Sequence, residues 1–291
     1  MRIVVTGADG QLGVELVRAL ALQGEVVGTT IDELDVREAS CAERVATLRP
    51  DWVVHAAAAT DVDGCERDAA WAFAVNGEGT RRIAEGCRRA NAGLVYVSTD
   101  YVFDGQKDRP YLEADPPGPL NVYGRSKLAG EEATRALAGR WTIVRTAWLY
   151  GVHGKNFVKT ILERAQAGQP LRVVDDQVGS PTYAADLAEG IALLLAGGHT
   201  GVFHLTNSGA CSWFAFAREI VRLAGFDPGT VTPMTSADLN RPARRPRFAV
   251  LENNAWRTKG LAPLRAWQDA LASMLSALRG VEQSQDRVPN R

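Results

Sequence analysis

A chain of 291 residues with 46% hydrophobic and 23% charged residues can bury a core without disulfides or metal staples, and this balance excludes a disordered or fibrous protein. The 33 Lys+Arg against 34 Asp+Glu leave a formal charge of -1, which gives no basic footprint for a nucleic acid and no polybasic patch for a membrane surface. Cys41, Cys65, Cys87 and Cys211 lie far apart, with no Cys-x-x-Cys pair and no histidine pair at ligand spacing, so neither a disulfide framework nor a metal site is expected. The opening Met-Arg-Ile-Val-Val-Thr-Gly reaches glycine after three apolar residues, and no stretch approaches the ~18–20 apolar residues of a membrane span. A cytoplasmic protein with no nucleic-acid or membrane partner is the expectation.

The first half alternates short β-branched runs with longer amphipathic ones. Strands are predicted at 2–6, 25–29, 51–55, 93–98 and 141–146, and helices at 11–23, 38–48, 71–90 and 125–137, where apolar residues recur three or four apart as in Leu12, Leu16, Ala19 and Leu20. Repeated strand–helix–strand steps imply right-handed crossovers and an α/β fold, a doubly wound parallel sheet. The second half is less regular. Helices are predicted at 156–167, 184–196 and 212–223 with a strand at 171–174, which suggests a smaller C-terminal lobe. The expected division is a dinucleotide-binding domain over 1–147 to which 171–206 returns, a substrate lobe mainly over 148–280, and a disordered tail over 281–291. Pro242-Ala243-Arg244-Arg245-Pro246-Arg247 is too proline-rich for a helix interior and is expected to lie extended over the surface or a cleft. A last helix is predicted at 264–278.

Two motifs carry chemistry. After the first strand comes Gly7-Ala8-Asp9-Gly10-Gln11-Leu12-Gly13, whose glycines allow a tight turn, close approach of backbone N–H groups to a pyrophosphate, and a helix packed against the sheet. The second strand ends at Thr29-Thr30 with Asp32 beyond, so no charge is cleanly placed to choose between NADH and NADPH. Tyr123-Gly124-Arg125-Ser126-Lys127 puts a tyrosine and a lysine on one helix face. An ammonium beside a phenol stabilises the phenolate, so the tyrosine can pass a proton to or from an alcohol oxygen. Ser98-Thr99-Asp100 closes the fourth strand, where open α/β sheets bind their ligands.

The glycine spacing, Ala56-Ala57-Ala58 after the third strand, Ser98-Thr99-Asp100 and the Tyr123/Lys127 pair together resemble the extended short-chain dehydrogenase/reductase superfamily, whose fold is Rossmann-like. More narrowly, the runs at 98–105, 119–131, 145–150 and 175–182 resemble the dTDP-4-dehydrorhamnose reductase family, a likeness that extends from residue 1 to about 275. The resemblance implies a 4-keto nucleotide sugar reduced by hydride from NADPH or NADH. It makes Tyr123 the proton donor, Lys127 the holder of the nicotinamide ribose and Thr99 the hydrogen-bond partner of the carbonyl. It assigns Gly7, Gly10, Gln11, Leu12 and Gly13 to the pyrophosphate turn, Thr30 to the ribose, and Asp35 and Val36 to the adenine. Ala56, Ala57, Ala58, Ala59 and Thr60 fall on the nicotinamide side. Asp100, Tyr101 and Trp148 fall on the nucleotide sugar, with Arg241 and Arg245 on its diphosphate.

Two departures limit the transfer. Thr30 stands where relatives often carry a charged residue, which leaves cofactor preference open. Some relatives bridge a dimer through a metal held by a glutamate after the Pro-Thr pair, whereas this chain has Ala184-Ala185 there with Asp186 beyond. Neither the metal nor that dimer is carried over, and a monomer or a homodimer remains open. The rival readings are a 4-epimerase or another 4-ketoreductase on the same fold, and a non-catalytic subunit related to that of methionine adenosyltransferase. A 4,6-dehydratase would want an Asp-Glu pair beside the threonine, and here Asp100 is followed by Tyr101.

Overall fold

The computed structural model describes residues 1–285, with side chains described through Val281. A six-stranded sheet forms its centre. β1 (Arg2–Thr6), β2 (Glu25–Thr29), β3 (Trp52–His55), β4 (Gly93–Thr99) and β5 (Arg140–Thr146) are joined by a last strand, Gly201–His204. All neighbours are parallel, and the spatial order runs from Gly201–His204 through β5, β4, β3 and β1 to β2. The order reverses between β1 and β3, so this is the switch point at which an open sheet leaves a crevice beyond its strand ends.

The strands read as continuous apolar runs because both faces are covered. Ile3 and Val5 join Val54, Val95 and Val144 in a core roofed by Leu12, Leu16 and Leu20 and by Leu187 and Ile191. Val4, Val53 and Leu94 point the other way, against Val45, Ile83 and Cys87. Helix Gln11–Leu20 and helix Ala184–Ala196 thus lie on one face, and Cys41–Thr47 and Thr80–Ala90 on the other. The four cysteines form no disulfide. No helix among the described residues is long and apolar enough to cross a membrane.

Of the segment expected to return, Ala184–Ala196 and Gly201–His204 pack with the central sheet, while Leu171–Val174 pairs with Val231–Met234 in a small sheet of its own. A second core gathers there from Tyr150, Val158, Ile161, Val173, Phe216, Ile220, Trp267 and Leu271.

Several predicted boundaries move, each for a local reason. The 71–90 helix is three pieces, Ala69–Phe73, a π-helical stretch Ala74–Gly79, and Thr80–Ala90. The 125–137 helix begins earlier, at Val122, because the Asn121 side chain accepts from the Gly124 amide at 2.8 Å and caps it. The last helix runs over Trp267–Gln285 rather than 264–278, since 264–266 are drawn out beside Ser208, whose amide donates to Arg265 O and whose carbonyl accepts from Trp267 N. Residues 281–285 are therefore helical and not part of a disordered tail, and 286–291 lie outside the described residues.

Candidate active site

A cavity of about 640 Å³ opens at the switch point. Gly7, Gly10, Gln11, Leu12, Gly13, Thr30, Asp35, Val36, Ala56, Ala57, Ala58, Ala59, Thr60, Thr99, Asp100, Tyr101, Tyr123, Lys127 and Trp148 all line it. Two residues expected at the site, Arg241 and Arg245, do not.

The glycine turn is shaped for an anion. Gly7 has φ +66, and its carbonyl accepts from Gly10 N at 3.0 Å. A Cβ on Gly13 would stand 2.0 Å from Gly7 O, so only glycine lets the helix approach the strand this closely. Gly10 caps the helix without a side-chain bond, leaving first-turn amides to meet a pyrophosphate. A dinucleotide therefore fits the residues present. Beyond β2, Thr30 N and Oγ1 donate to Glu33 at 2.9 and 3.2 Å, and Arg37 grips Asp35 at 2.6 Å. That Arg37 bond holds the Asp35 carboxyl below its usual range.

A buried polar network sets the loop 56–60. Ala57 N donates to Thr6 Oγ1 at 3.3 Å, and Thr6 Oγ1 lies 2.7 Å from His55 Nδ1. His55 Nε2 lies 3.2 Å from Thr80 Oγ1, which donates to Asn76 O at 2.7 Å. Because the Thr80 proton is committed to Asn76 O, Nε2 carries the imidazole proton and Nδ1 accepts from Thr6. Burial pushes the His55 imidazolium down to about 3, so the ring is neutral. The Asn76 side chain closes the ring: Oδ1 accepts from Ala59 N at 2.9 Å, and Nδ2 donates to Ala59 O at 3.1 Å and to Ser126 Oγ at 2.9 Å. The π-helical stretch brings this amide inward, a role such insertions often have at sites. No periodicity in the sequence singles out Asn76 or His55, and both were missed there.

Three hydroxyl, phenol and ammonium groups meet at the end of β4. Thr99 Oγ1 donates to Asp100 Oδ1 at 2.9 Å and accepts from Tyr101 N at 3.2 Å. Asp100 is 2% exposed, its Oδ2 has no partner, and burial pushes its carboxyl up to about 7. Burial likewise raises the Tyr123 phenol, with the Thr99 hydroxyl acting in the opposite direction. Lys127 Nζ donates to Val97 O at 2.7 Å and lies 4.3 Å from the centre of the Tyr96 ring. Burial brings this ammonium down to about 7, against the pull of Glu131.

The far wall is aromatic. Trp148 has φ +45, a left-handed conformation rare for a bulky residue, and stacks on Trp213 with ring centres 3.6 Å apart. Phe157 backs Trp213 at 4.5 Å. Trp213 lines the cavity and was not foreseen, because in the sequence it reads as part of the first turn of a helix.

Arg245 is occupied elsewhere. It holds Asp63 at 3.1 and 2.9 Å, with Arg241 3.6 Å from the same carboxylate. Burial pulls the Asp63 carboxyl up, but the Arg245 bonds, the Ala243 amide and the Arg241 charge together outweigh it and leave it below the usual range. The Asp186 carboxylate is likewise taken, by Arg265 at 2.6 and 2.9 Å and by Asn207 at 2.7 Å. Among the described residues no group of three or more His, Cys, Asp or Glu could hold a metal ion.

A tyrosine and a lysine one helical turn apart, beside a β4 threonine at the switch point where the glycine turn opens, place the protein in the short-chain dehydrogenase/reductase class. Residues 1–279 match the family described as RmlD substrate binding domain, and the chain belongs to that family. A dTDP-4-dehydrorhamnose reductase of Streptomyces griseus is 47% identical over 288 residues, spanning 96% of this chain and 94% of the relative. One from Mycobacterium tuberculosis (strain ATCC 25618 / H37Rv) is 43% identical over 296 residues, spanning 99% and 97%. The crystal structure of a dTDP-4-dehydrorhamnose reductase from Bacillus anthracis in complex with NADP superposes with a TM-score of 0.91 at 36% identity, covering 95% of this chain and 99% of that one.

Proposed function

We propose that this chain reduces the C4 carbonyl of dTDP-6-deoxy-L-lyxo-4-hexulose (dTDP-4-dehydrorhamnose) to give dTDP-L-rhamnose, with NADPH or NADH as reductant and the cytoplasm as its location. The observation that carries the reading is the convergence of Thr99, Tyr123 and Lys127 on the cavity that the glycine turn opens. When bound, the nicotinamide supplies a hydride. The turn 7–13 and the loop 56–60 hold the cofactor, and Lys127, one helical turn from Tyr123, is the group that meets its ribose. Thr99 orients the carbonyl by hydrogen bonding its oxygen. Tyr123 gives its proton to that oxygen as charge develops there, a step that positioned acids accelerate by about 10²–10⁴-fold. The Trp148–Trp213 stack is the flat apolar surface against which the nucleotide sugar lies. Arg241 and Arg245 act on its diphosphate, an anion that a guanidinium fork suits, once Arg245 is released from Asp63.

The test is oxidation of NADH and NADPH with dTDP-4-keto-6-deoxyglucose, with and without a 3,5-epimerase. Oxidation is expected to require the epimerase and to fall about 10²–10⁴-fold in Tyr123→Phe. Oxidation without the epimerase would mean that the unepimerised sugar is the substrate. No oxidation at all would bring forward the non-catalytic reading.

A further inference from the structure

Four bonds converge on one carboxylate beneath the cavity. Glu131 is fully buried, one helical turn beyond Lys127. Its Oε1 accepts from Ser98 Oγ at 2.7 Å and Arg145 Nε at 2.8 Å, and its Oε2 accepts from Arg145 Nη2 at 2.7 Å and Arg135 Nη2 at 2.8 Å. Arg145 is 1% exposed and lies 5.1 Å from the centre of the Phe103 ring. Neither Glu131, Arg135 nor Arg145 lines the cavity. Their neighbours do: Ser98 precedes Thr99 on β4, Glu131 shares the helix of Tyr123 and Lys127, and Arg145 precedes Thr146 at the end of β5 and Ala147 and Trp148 beyond it.

We propose that Glu131 is a positioning residue, whose single carboxylate fixes the spacing between the strand that presents Thr99, the helix that presents Tyr123 and Lys127, and the strand that leads to Trp148. Two arguments support it. A buried ion pair is a poor way to gain stability, since apolar residues of similar volume often hold elements together as well or better; what a four-bond carboxylate adds is direction. Hydride and proton transfer depend on that direction, because a misplacement of about 1 Å can cost about 10²-fold in rate. The proposal rests on the reductase reading for its kinetic readout.

The experiment compares wild type with Glu131→Gln, Glu131→Asp and the double variant Glu131→Met/Arg145→Leu, in melting temperature, kcat, and KM for NADPH and for the keto sugar. The double variant removes the buried charges together and is expected to melt near wild type. Its kcat is expected to stay about 10–100-fold low, with KM for NADPH within about twofold. Glu131→Asp keeps the charge and is expected to recover part of kcat; if Glu131→Gln fails to fold, these two variants carry the test. A double variant with both wild-type stability and wild-type kcat overturns the proposal and leaves the cluster a purely structural tie. Wild type that oxidises no cofactor sinks the reductase reading instead. Positioning is then read from amide hydrogen exchange in the double variant: faster exchange at 97–101, 122–128 and 145–149 together supports it, and unchanged exchange overturns it.

Discussion

Asp100 has a charge state that decides what its neighbour can do. While ionised it accepts the Thr99 hydroxyl proton at 2.9 Å, so Thr99 has no proton to offer a carbonyl oxygen. When protonated it can donate back to Thr99 and free that hydroxyl. Its carboxyl is raised from 3.8 to about 7 by burial, so turnover is expected to fall as pH rises through about 7. Asp100→Asn keeps a donor at every pH and is expected to flatten that fall. Stability follows the same group. Between the ordinary carboxylate range and about 7 the native state holds a proton that the unfolded chain has lost, so Asp100 makes stability decrease as pH rises across that window. Removing the charge therefore stabilises Asp100→Asn relative to wild type at pH 8 more than at pH 5, by an unfolding free energy on the order of 2–4 kcal/mol, which shows as a larger gain in melting temperature at pH 8. Thermal melts of both proteins at the two pH values measure it, and a difference that does not grow with pH would refute the assignment.

At the scale of elements, what was legible in the sequence is what repeats or is local. β1 to β5 are short apolar runs because a two-sided parallel sheet demands them, and the glycine turn and the Tyr123/Lys127 spacing are short-range signals. The start of the catalytic helix was misplaced by three residues because it depends on one side chain, Asn121, folding back on the Gly124 amide. The π-helical stretch was invisible for a related reason. An inserted residue does not break apolar periodicity enough to be seen, and its effect is to turn Asn76 inward to Ala59 and Ser126, partners 17 and 50 residues away. Asn76→Ala strands the buried Ala59 amide, a loss of about 1–3 kcal/mol, and leaves the Ala59 carbonyl only the Cys65 thiol at 3.7 Å. The variant is expected to melt several degrees lower and to show a KM for NADPH raised about tenfold, with KM for the keto sugar nearly unchanged. Initial rates at varied cofactor and sugar separate the two, and an equal rise in both would show that the stretch supports the whole site rather than the nicotinamide loop.

For the whole molecule, the issue is how the two cores hold the cleft between them. The central sheet carries the cofactor side and the aromatic stack carries the far wall, so the distance across the cavity depends on the ties between the halves. Gln11 Nε2 donates to Leu149 O at 3.1 Å at the glycine turn. Asn121 Nδ2 donates to Arg244 O at 2.7 Å at the start of the catalytic helix. Arg245 crosses from the C-terminal half to Asp63, on the helix Val62–Arg67 that follows Thr60. This last tie spans 182 positions of sequence, which is why the chain, read residue by residue, gives no sign that Arg245 is held by Asp63. It also fixes their readiness for an anion. A diphosphate must compete with Asp63 for the Arg245 fork, at the expense of charged hydrogen bonds worth about 1.5–3 kcal/mol together with their partner. Asp63→Asn weakens the hold without removing the side chain. If Arg245 serves the diphosphate, the variant's affinity for dTDP is expected to rise about three- to tenfold, and Arg245→Met to lower it, while NADPH binding changes in neither. Calorimetric titration of dTDP into the three proteins decides between this and a purely structural strap, for which Asp63→Asn would loosen the loop and weaken dTDP binding as Arg245→Met does.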